Sequence, residues 1–248
     1  MTVDFNCDLG EGAGHDAELM PFITSANIAC GAHAGDAATM RKTVALALAH
    51  GVAIGAHPGF ADREHFGRRE IVISPREAGE LVVAQVEQLR QITREQGAAV
   101  THVKLHGALY NMAARDRALA EGIVGAIWSP EWRPVLVVLA GSEFETVARA
   151  RGGGRVVAEV FADRTYLADG SLAPRSMPGA MLTDEDASVA QVLRMVREGL
   201  VRARDGSDVA IRAETICLHG DGSHAVVFAR RLRNELAAAG IAVKPFRA

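Results

Sequence analysis

Hydrophobic positions in this chain fall into seven short runs, each leading into a polar or glycine-rich stretch: Val3–Gly12, Ser25–Asp36, Val52–Gly59, Val100–Asn111, Val135–Ser142, Val156–Arg164 and Thr215–His224. Between most of them apolar residues recur at helical spacing. Strands alternating with helices predict parallel βαβ units, and closing them gives a (β/α) barrel of the TIM-barrel type. Reactive groups in such barrels collect at the C-terminal strand ends. Polar clusters recurring at those ends predict one active site assembled from many loops.

Helix punctuation supports this reading. Asp36 caps a stripe of Met40, Val44 and Leu48, with Gly51 just past its end. Ser74-Pro75-Arg76-Glu77 is a capping box with proline at the first helical position, opening a helix that carries Val82, Val86 and Leu89 and stops near Gly97. Thr183-x-x-Asp186 reads as a second capping box, ahead of Val189, Val192, Leu193, Val196 and Leu200. The last helix runs from Ala225 to Ala239. With no linker, repeat or break in composition, one domain over 1–248 is expected. Two long irregular stretches, roughly Pro58–Ile73 and Asp163–Leu182, follow the third and sixth strands. Long loops in compact domains usually serve function.

Strand side chains alternate between faces, so residues two apart share one. Asp4, Asn6 and Asp8 therefore oppose Val3, Phe5 and Cys7, and His102, Lys104 and His106 oppose Thr101, Val103 and Leu105. Glu159, Phe161 and Asp163 align, as do His219 and Asp221. The apolar face must pack beneath the helices, which turns the polar face into the barrel. Solvated surface does not produce the same rule on four strands.

The 248-residue length and 49% hydrophobic content suit a barrel with a large core. A formal net charge of −3 without a basic block argues against nucleic acid. The start Met1-Thr2-Val3-Asp4 carries no export pattern, and no apolar run has the ~18 residues of a membrane span. Cys7, Cys30 and Cys217 form no Cys-x-x-Cys pair, and their odd number argues against a disulfide framework. Cys7 belongs to the outward face, while Cys30 and Cys217 read as small core residues. A cytoplasmic location is expected.

Asp8 and Glu11 end the first strand, where a general base or a metal ligand belongs, although an isolated carboxylate can equally cap its loop. His33 and His57 end the next two strands. With Asp8 they are a donor set for zinc, or they act as acid and base near neutral pH. Lys104 inside a barrel demands an anion, met by a substrate carboxylate or by Glu159. His106 precedes Gly107, which allows close backbone approach to a ligand. Asp163 and Arg164 are placed to orient substrate or to pair with each other, and Arg68 and Arg69 to be solvated or to clamp a phosphate. Nucleotide signatures are missing: the chain has no Gly-Lys dipeptide, and His15 stands where Gly10-Glu11-Gly12-Ala13-Gly14 would need its final glycine.

Several of these segments resemble the LamB/YcsF family. They are Asn6-Cys7-Asp8-Leu9-Gly10-Glu11, Ser25-Ala26-Asn27-Ile28-Ala29-Cys30-Gly31 and His33-Ala34-Gly35-Asp36, followed by Gly51-Val52-Ala53-Ile54-Gly55-Ala56-His57-Pro58 and Phe66-Gly67-Arg68-Arg69. His106-Gly107-Ala108-Leu109-Tyr110-Asn111, Glu159-Val160-Phe161-Ala162-Asp163-Arg164 and Cys217-Leu218-His219-Gly220-Asp221 complete the set. Ala32 and Ala37 replace the family's usual Phe and Pro, and Leu105 its usual Pro.

The resemblance implies a seven-stranded barrel similar to glycoside hydrolases and deacetylases. It also implies the role of the A-subunit in an ATP-hydrolysing 5-oxoprolinase, which works with subunits B and C to open 5-oxo-L-proline to L-glutamate. ATP is then a co-substrate, and a divalent metal stays an open question. On this basis Asp8, Glu11, His33, His57, His106 and His219 are the catalytic candidates, with Asp8 or His33 as base and His57 or His219 as acid. Asn6, Lys104, Glu159, Asp163, Arg164 and Asp221 are the substrate-binding candidates, Lys104 for the substrate carboxylate or an oxyanion. Two rival expectations are a stand-alone metal-dependent amidohydrolase or deacetylase, with Asp8, His33 and His57 as ligands, and a non-catalytic partner subunit.

Overall fold

The computed structural model describes residues 1–219 and 225–246. Strands β1 (Thr2–Leu9), β2 (Ser25–Ala29), β3 (Ala53–His57), β4 (His102–Lys104), β5 (Val135–Leu139) and β6 (Val156–Phe161) pair in parallel in chain order. Beyond them, β7 (Leu200–Arg202) and β8 (Asp208–Ala210) form a separate antiparallel hairpin, and β9 (Thr215–His219) returns to the main sheet. Because β9 pairs with both β6 and β1, the sheet closes into the seven-stranded parallel barrel that the seven runs predict. A short β10 (Ala242–Val243) adds to the start of β1.

Helices α1 (Asp16–Leu19), α2 (Ala37–His50), α3 (Pro75–Glu95), α4 (Gly107–Arg115), α5 (Arg117–Ile127), α6 (Glu143–Arg151), α7 (Glu185–Glu198) and α8 (Ala225–Ala238) connect the strands. The outward strand residues Val3, Phe5, Cys7 and Leu9 are fully covered by this layer. Each Val, Phe or Leu side chain so taken out of water contributes roughly 1.5–3 kcal/mol. The Asp36 cap, the Ser74–Glu77 capping box and the left-handed Gly51 stand as expected. No described helix is long and apolar enough to cross a membrane.

Two helix expectations change. Asp184, not Thr183, caps α7, because its carboxylate accepts from the backbone N–H groups of both Asp186 and Ala187. Leu200 lies outside that helix: Gly199 adopts the left-handed conformation and ends it, and Leu200 opens β7.

Candidate active site

Alternation along the strands fills the barrel with two layers of polar side chains. The deeper layer is closed on itself. Asp4 accepts hydrogen bonds from Ser25 Oγ at 2.6 Å and from the Thr215 hydroxyl. Asn6 donates to Glu159 Oε1 at 3.0 Å, and Asn27 donates to Asn6 Oδ1 at 2.7 Å. His102 Nε2 donates to Asn27 Oδ1 at 3.0 Å. The His102 ring occupies the space of a missing side chain, since a Cβ on Gly55 would lie 2.0 Å from Nε2. Burial, with Lys104 nearby, pushes the His102 pKa down to about 3, so the ring is neutral. The same desolvation raises the Asp4 carboxyl to about 6.

Lys104 joins the two layers. Its Nζ lies 2.9 Å from Asp8 Oδ1, 2.9 Å from Glu159 Oε1 and 3.0 Å from Cys217 Sγ. An ammonium has three hydrogens, and Asp8, Cys217 and Asn6 Oδ1, the last at 3.3 Å, take them while Glu159 pairs with the charge. Burial works against the charge, and Asp8, Cys217 and Glu159 outweigh it, holding the proton well above the usual lysine range. Tyr110, reaching in from α4, donates to Glu159 Oε2 at 2.7 Å. Lys104 is therefore satisfied from within, by the structural pair with Glu159 and by Asp8.

The upper layer is less settled. His57 Nδ1 faces the Lys104 carbonyl at 2.8 Å, and His106 Nε2 faces the Phe66 carbonyl at 2.8 Å. Their remaining nitrogens, His57 Nε2 and His106 Nδ1, face each other at 2.9 Å. Asp8 Oδ2 lies 3.4 Å from His57 Nε2. Glu11 Oε1 lies 3.1 Å from His33 Nε2 and 3.3 Å from His106 Nδ1. The His33 and His106 rings stack at 3.7 Å between centroids. Gly67 makes the stack possible, because a Cβ there would sit 2.9 Å from His33 Cβ. Burial would raise the Asp8 carboxyl, but His57 and Lys104 hold it well below the usual carboxylate range. Burial likewise opposes charge on His57, and Asp8 outweighs it, raising the imidazole. Burial lowers both His33 and His106.

A cleft of about 820 Å³ opens above this layer. Asp8, His57, Lys104, His106, His219 and Arg164 line it, with Phe161, Leu167 and residues 169–176 of the loop after β6. Asp163 Oδ2 accepts from His219 Nδ1 at 2.8 Å. Burial alone would raise the Asp163 carboxyl, and His219 keeps it low. An Asp163–Arg164 pair does not form: both residues lie past the end of β6, and Asp163 is engaged by His219. Arg164 instead donates to the Ala173 carbonyl at 2.5 Å, its Nε is buried without a hydrogen-bond partner, and burial with Arg175 nearby pushes it down to about 10.

Of the residues singled out from sequence, the barrel thus brings six to the cleft. Asn6 and Glu159 sit beneath it as supports of Lys104, and Asp163 sits behind His219. Glu11 lines a neighbouring hollow with Phe66 and Arg68, and His33 is buried against it. Asp221 lies outside the described residues.

The metal-ligand grouping differs from the expected Asp8, His33 and His57. The donor atoms of Glu11, His33, His57 and His106 lie within 4.8 Å of one another, whereas Asp8 groups with Cys217 and His219. The cause is local: left-handed Gly10 and Gly12 curl the loop after β1 and bring Glu11 over the histidines.

Cys217 and Tyr110 were not apparent as site residues. Cys217 is two residues before His219 and shares its inward face, so alternation contained the signal and the small-core reading gives way to a contact with Lys104. Tyr110 sits on a helix, and the strand pattern carries no trace of its reach.

The LamB/YcsF family model matches residues 3–248. A protein of Bordetella pertussis (strain Tohama I), described as the A-subunit of 5-oxoprolinase, is 56% identical over 248 residues and 98% of each chain. One of Brevibacillus brevis with the same description is 55% identical over 98% of this chain and 97% of its own. Among solved structures, a lactam utilization protein from Thermus thermophilus superposes with a TM-score of 0.91 at 47% identity, covering 99% of this chain and 100% of that one. A deacetylase solved with substrate gives a TM-score of 0.53 at 14% identity over 98% of this chain and 86% of its own, a likeness of fold alone. With the match running almost from end to end, this chain belongs to the LamB/YcsF family.

Proposed function

We propose that this chain is the A-subunit of an ATP-hydrolysing 5-oxoprolinase and opens the ring of 5-oxo-L-proline to L-glutamate together with subunits B and C. The observation that carries this reading is the 56% identity, over 98% of both chains, to a relative described as the A-subunit of 5-oxoprolinase. The cleft supplies matching chemistry. An unstrained lactam is a poor electrophile. Transfer of the ATP γ-phosphoryl group to the amide oxygen, with loss of ADP, activates its carbon. Water then adds to that carbon, the ring C–N bond breaks as the nitrogen takes a proton, and a second water hydrolyses the resulting acyl phosphate to the side-chain carboxylate and free phosphate.

Asp8 is ionised and lines the cleft, so it takes the proton from water. His219, oriented by Asp163, protonates the ring nitrogen. His57 borders Asp8 at 3.4 Å in the same cleft. Saturation of Lys104 from within moves the substrate carboxylate to Arg164, whose buried Nε faces no hydrogen-bond partner. Lys104 sets the position and charge of Asp8.

The test is glutamate formation from 5-oxo-L-proline and ATP by this chain alone, by subunits B and C alone, and by all three. Product only from the full set is expected. Product from subunits B and C without this chain would remove it from the reaction, and an amide hydrolysed by this chain alone would favour the stand-alone hydrolase.

A further inference from the structure

We propose that Glu11, His33, His57 and His106 form a binding site for one divalent cation of the zinc class, in the wall of the cleft. The argument begins with two backbone carbonyls. A carbonyl oxygen only accepts, so the imidazole nitrogens facing it carry their hydrogens: Nδ1 on His57 and Nε2 on His106. Each neutral ring then has its lone pair on the other nitrogen. Those two nitrogens, His57 Nε2 and His106 Nδ1, lie 2.9 Å apart and point at each other. Two lone pairs at that distance repel unless a cation lies between or beside them.

The surroundings favour a metal ion over a lone proton. A proton bridges one pair of atoms, yet Glu11 Oε1 approaches three imidazole nitrogens, at 3.1 Å, 3.3 Å and 3.9 Å. Bonds of ~2.0–2.1 Å in a tetrahedron place neighbouring ligand atoms about 3.3–3.4 Å apart, the middle of that range. Three imidazoles and a carboxylate are a donor set suited to zinc.

The outer partners of His57 and His106 match as well. Ligating histidines characteristically donate their second N–H to a carbonyl or carboxylate, which fixes ring and tautomer. The Lys104 and Phe66 carbonyls play that part here. Phe66 is the non-glycine residue at positive φ among those described, a conformation that costs energy and aims its carbonyl at His106. The neighbouring group of Asp8, Cys217 and His219 is different: the Lys104 ammonium already lies 2.9 Å from Asp8 and 3.0 Å from Cys217.

The inference stands apart from the oxoprolinase reading and is tested without an activity assay. Untagged full-length protein is stripped with a chelator, dialysed against zinc and passed over a desalting column, and its metal content is measured by mass spectrometry. About one zinc per chain is expected to remain, and cobalt(II) in its place is expected to give the intense visible bands of a tetrahedral site. Glu11→Gln and His106→Asn should weaken zinc binding well beyond the roughly 10–100-fold that loss of an outer partner costs. His50→Ala, exposed at the end of α2, should leave it unchanged. Zinc that washes away from the parent protein, or stays equally in Glu11→Gln, overturns the proposal and leaves a shared proton between His57 and His106. Should the variants fail to fold by circular dichroism, the cobalt spectrum of the parent protein decides, and its absence refutes the site.

Discussion

The two polar layers inside this barrel use the same kinds of side chain to opposite ends. In the deeper one, donors meet acceptors: Asp4 is surrounded by hydroxyls, and His102 is neutral and donates to Asn27. In the upper one, acceptors meet acceptors, with Asp8, Glu11, His57 and His106 converging at 2.9–3.9 Å. A satisfied network fixes one structure. A convergence of lone pairs and negative charge leaves an appetite for a cation, a proton or a reacting group. What separates scaffold from reagent is the hydrogen-bond balance of each layer, since residue type is common to both.

Substitutions can break that comparison. The largest effect is expected from Asp8→Asn, which should lower turnover of the full assembly by about 10²–10⁴-fold, the usual contribution of a positioned base, with an unchanged circular dichroism spectrum. Near-parental turnover would remove Asp8 from the chemistry. Lys104→Met, between the layers, strands Asp8 and Glu159 as buried charges and should cost about 3–5 kcal/mol, read as a fall in the denaturant midpoint. An unchanged midpoint would show that the carboxylates have other counterions.

The third variant works on orientation. Asp163→Asn should lower kcat by about 10–100-fold while KM moves little, because His219 keeps its place and loses its anionic partner. A change confined to KM would assign Asp163 to substrate binding instead. The smallest effect belongs to the deep layer and depends on pH. The folded-state pKa of His102 is near 3 against an ordinary 6.5, so the unfolded chain binds the extra proton between those values. Stability is therefore lost as pH falls below about 6.5. His102→Gln removes this loss, so its deficit against the parent should shrink by about 2 kcal/mol from pH 7.5 to pH 5. Activity at pH 7.5 should be spared. A constant deficit would mean that the ring is charged when folded.

Much of this was legible in the chain. Alternation predicted the inward ranks of β1, β4, β6 and β9, and capping chemistry predicted the starts of α2 and α3. Tyr110 was not legible, because it comes from a helix. Glu11 and Arg164 stood among the candidates, but the routes that bring them in, a loop curled by Gly10 and Gly12 and a turn beyond β6, did not. The β7–β8 hairpin escaped because Leu200 continues the apolar period of α7, and a single left-handed Gly199 overrides it. The pairing of Asp8 with His57 and Lys104, and of Asp163 with His219, needed strand register, which no single strand contains.

The seam between β1 and β9 sets a timetable for the growing polypeptide. It aligns Asp8 with His219 and Asp4 with Thr215, partners 211 residues apart. At 5–20 residues per second on a ribosome, Asp4 and Asp8 wait roughly 10–40 s for these neighbours to be made. Helices such as α2 and α3 form in microseconds. The proposed acid–base pair of Asp8 and His219 is thus completed only when β9 joins the barrel, and a chain cut short anywhere before β9 has strands and helices but not that pair.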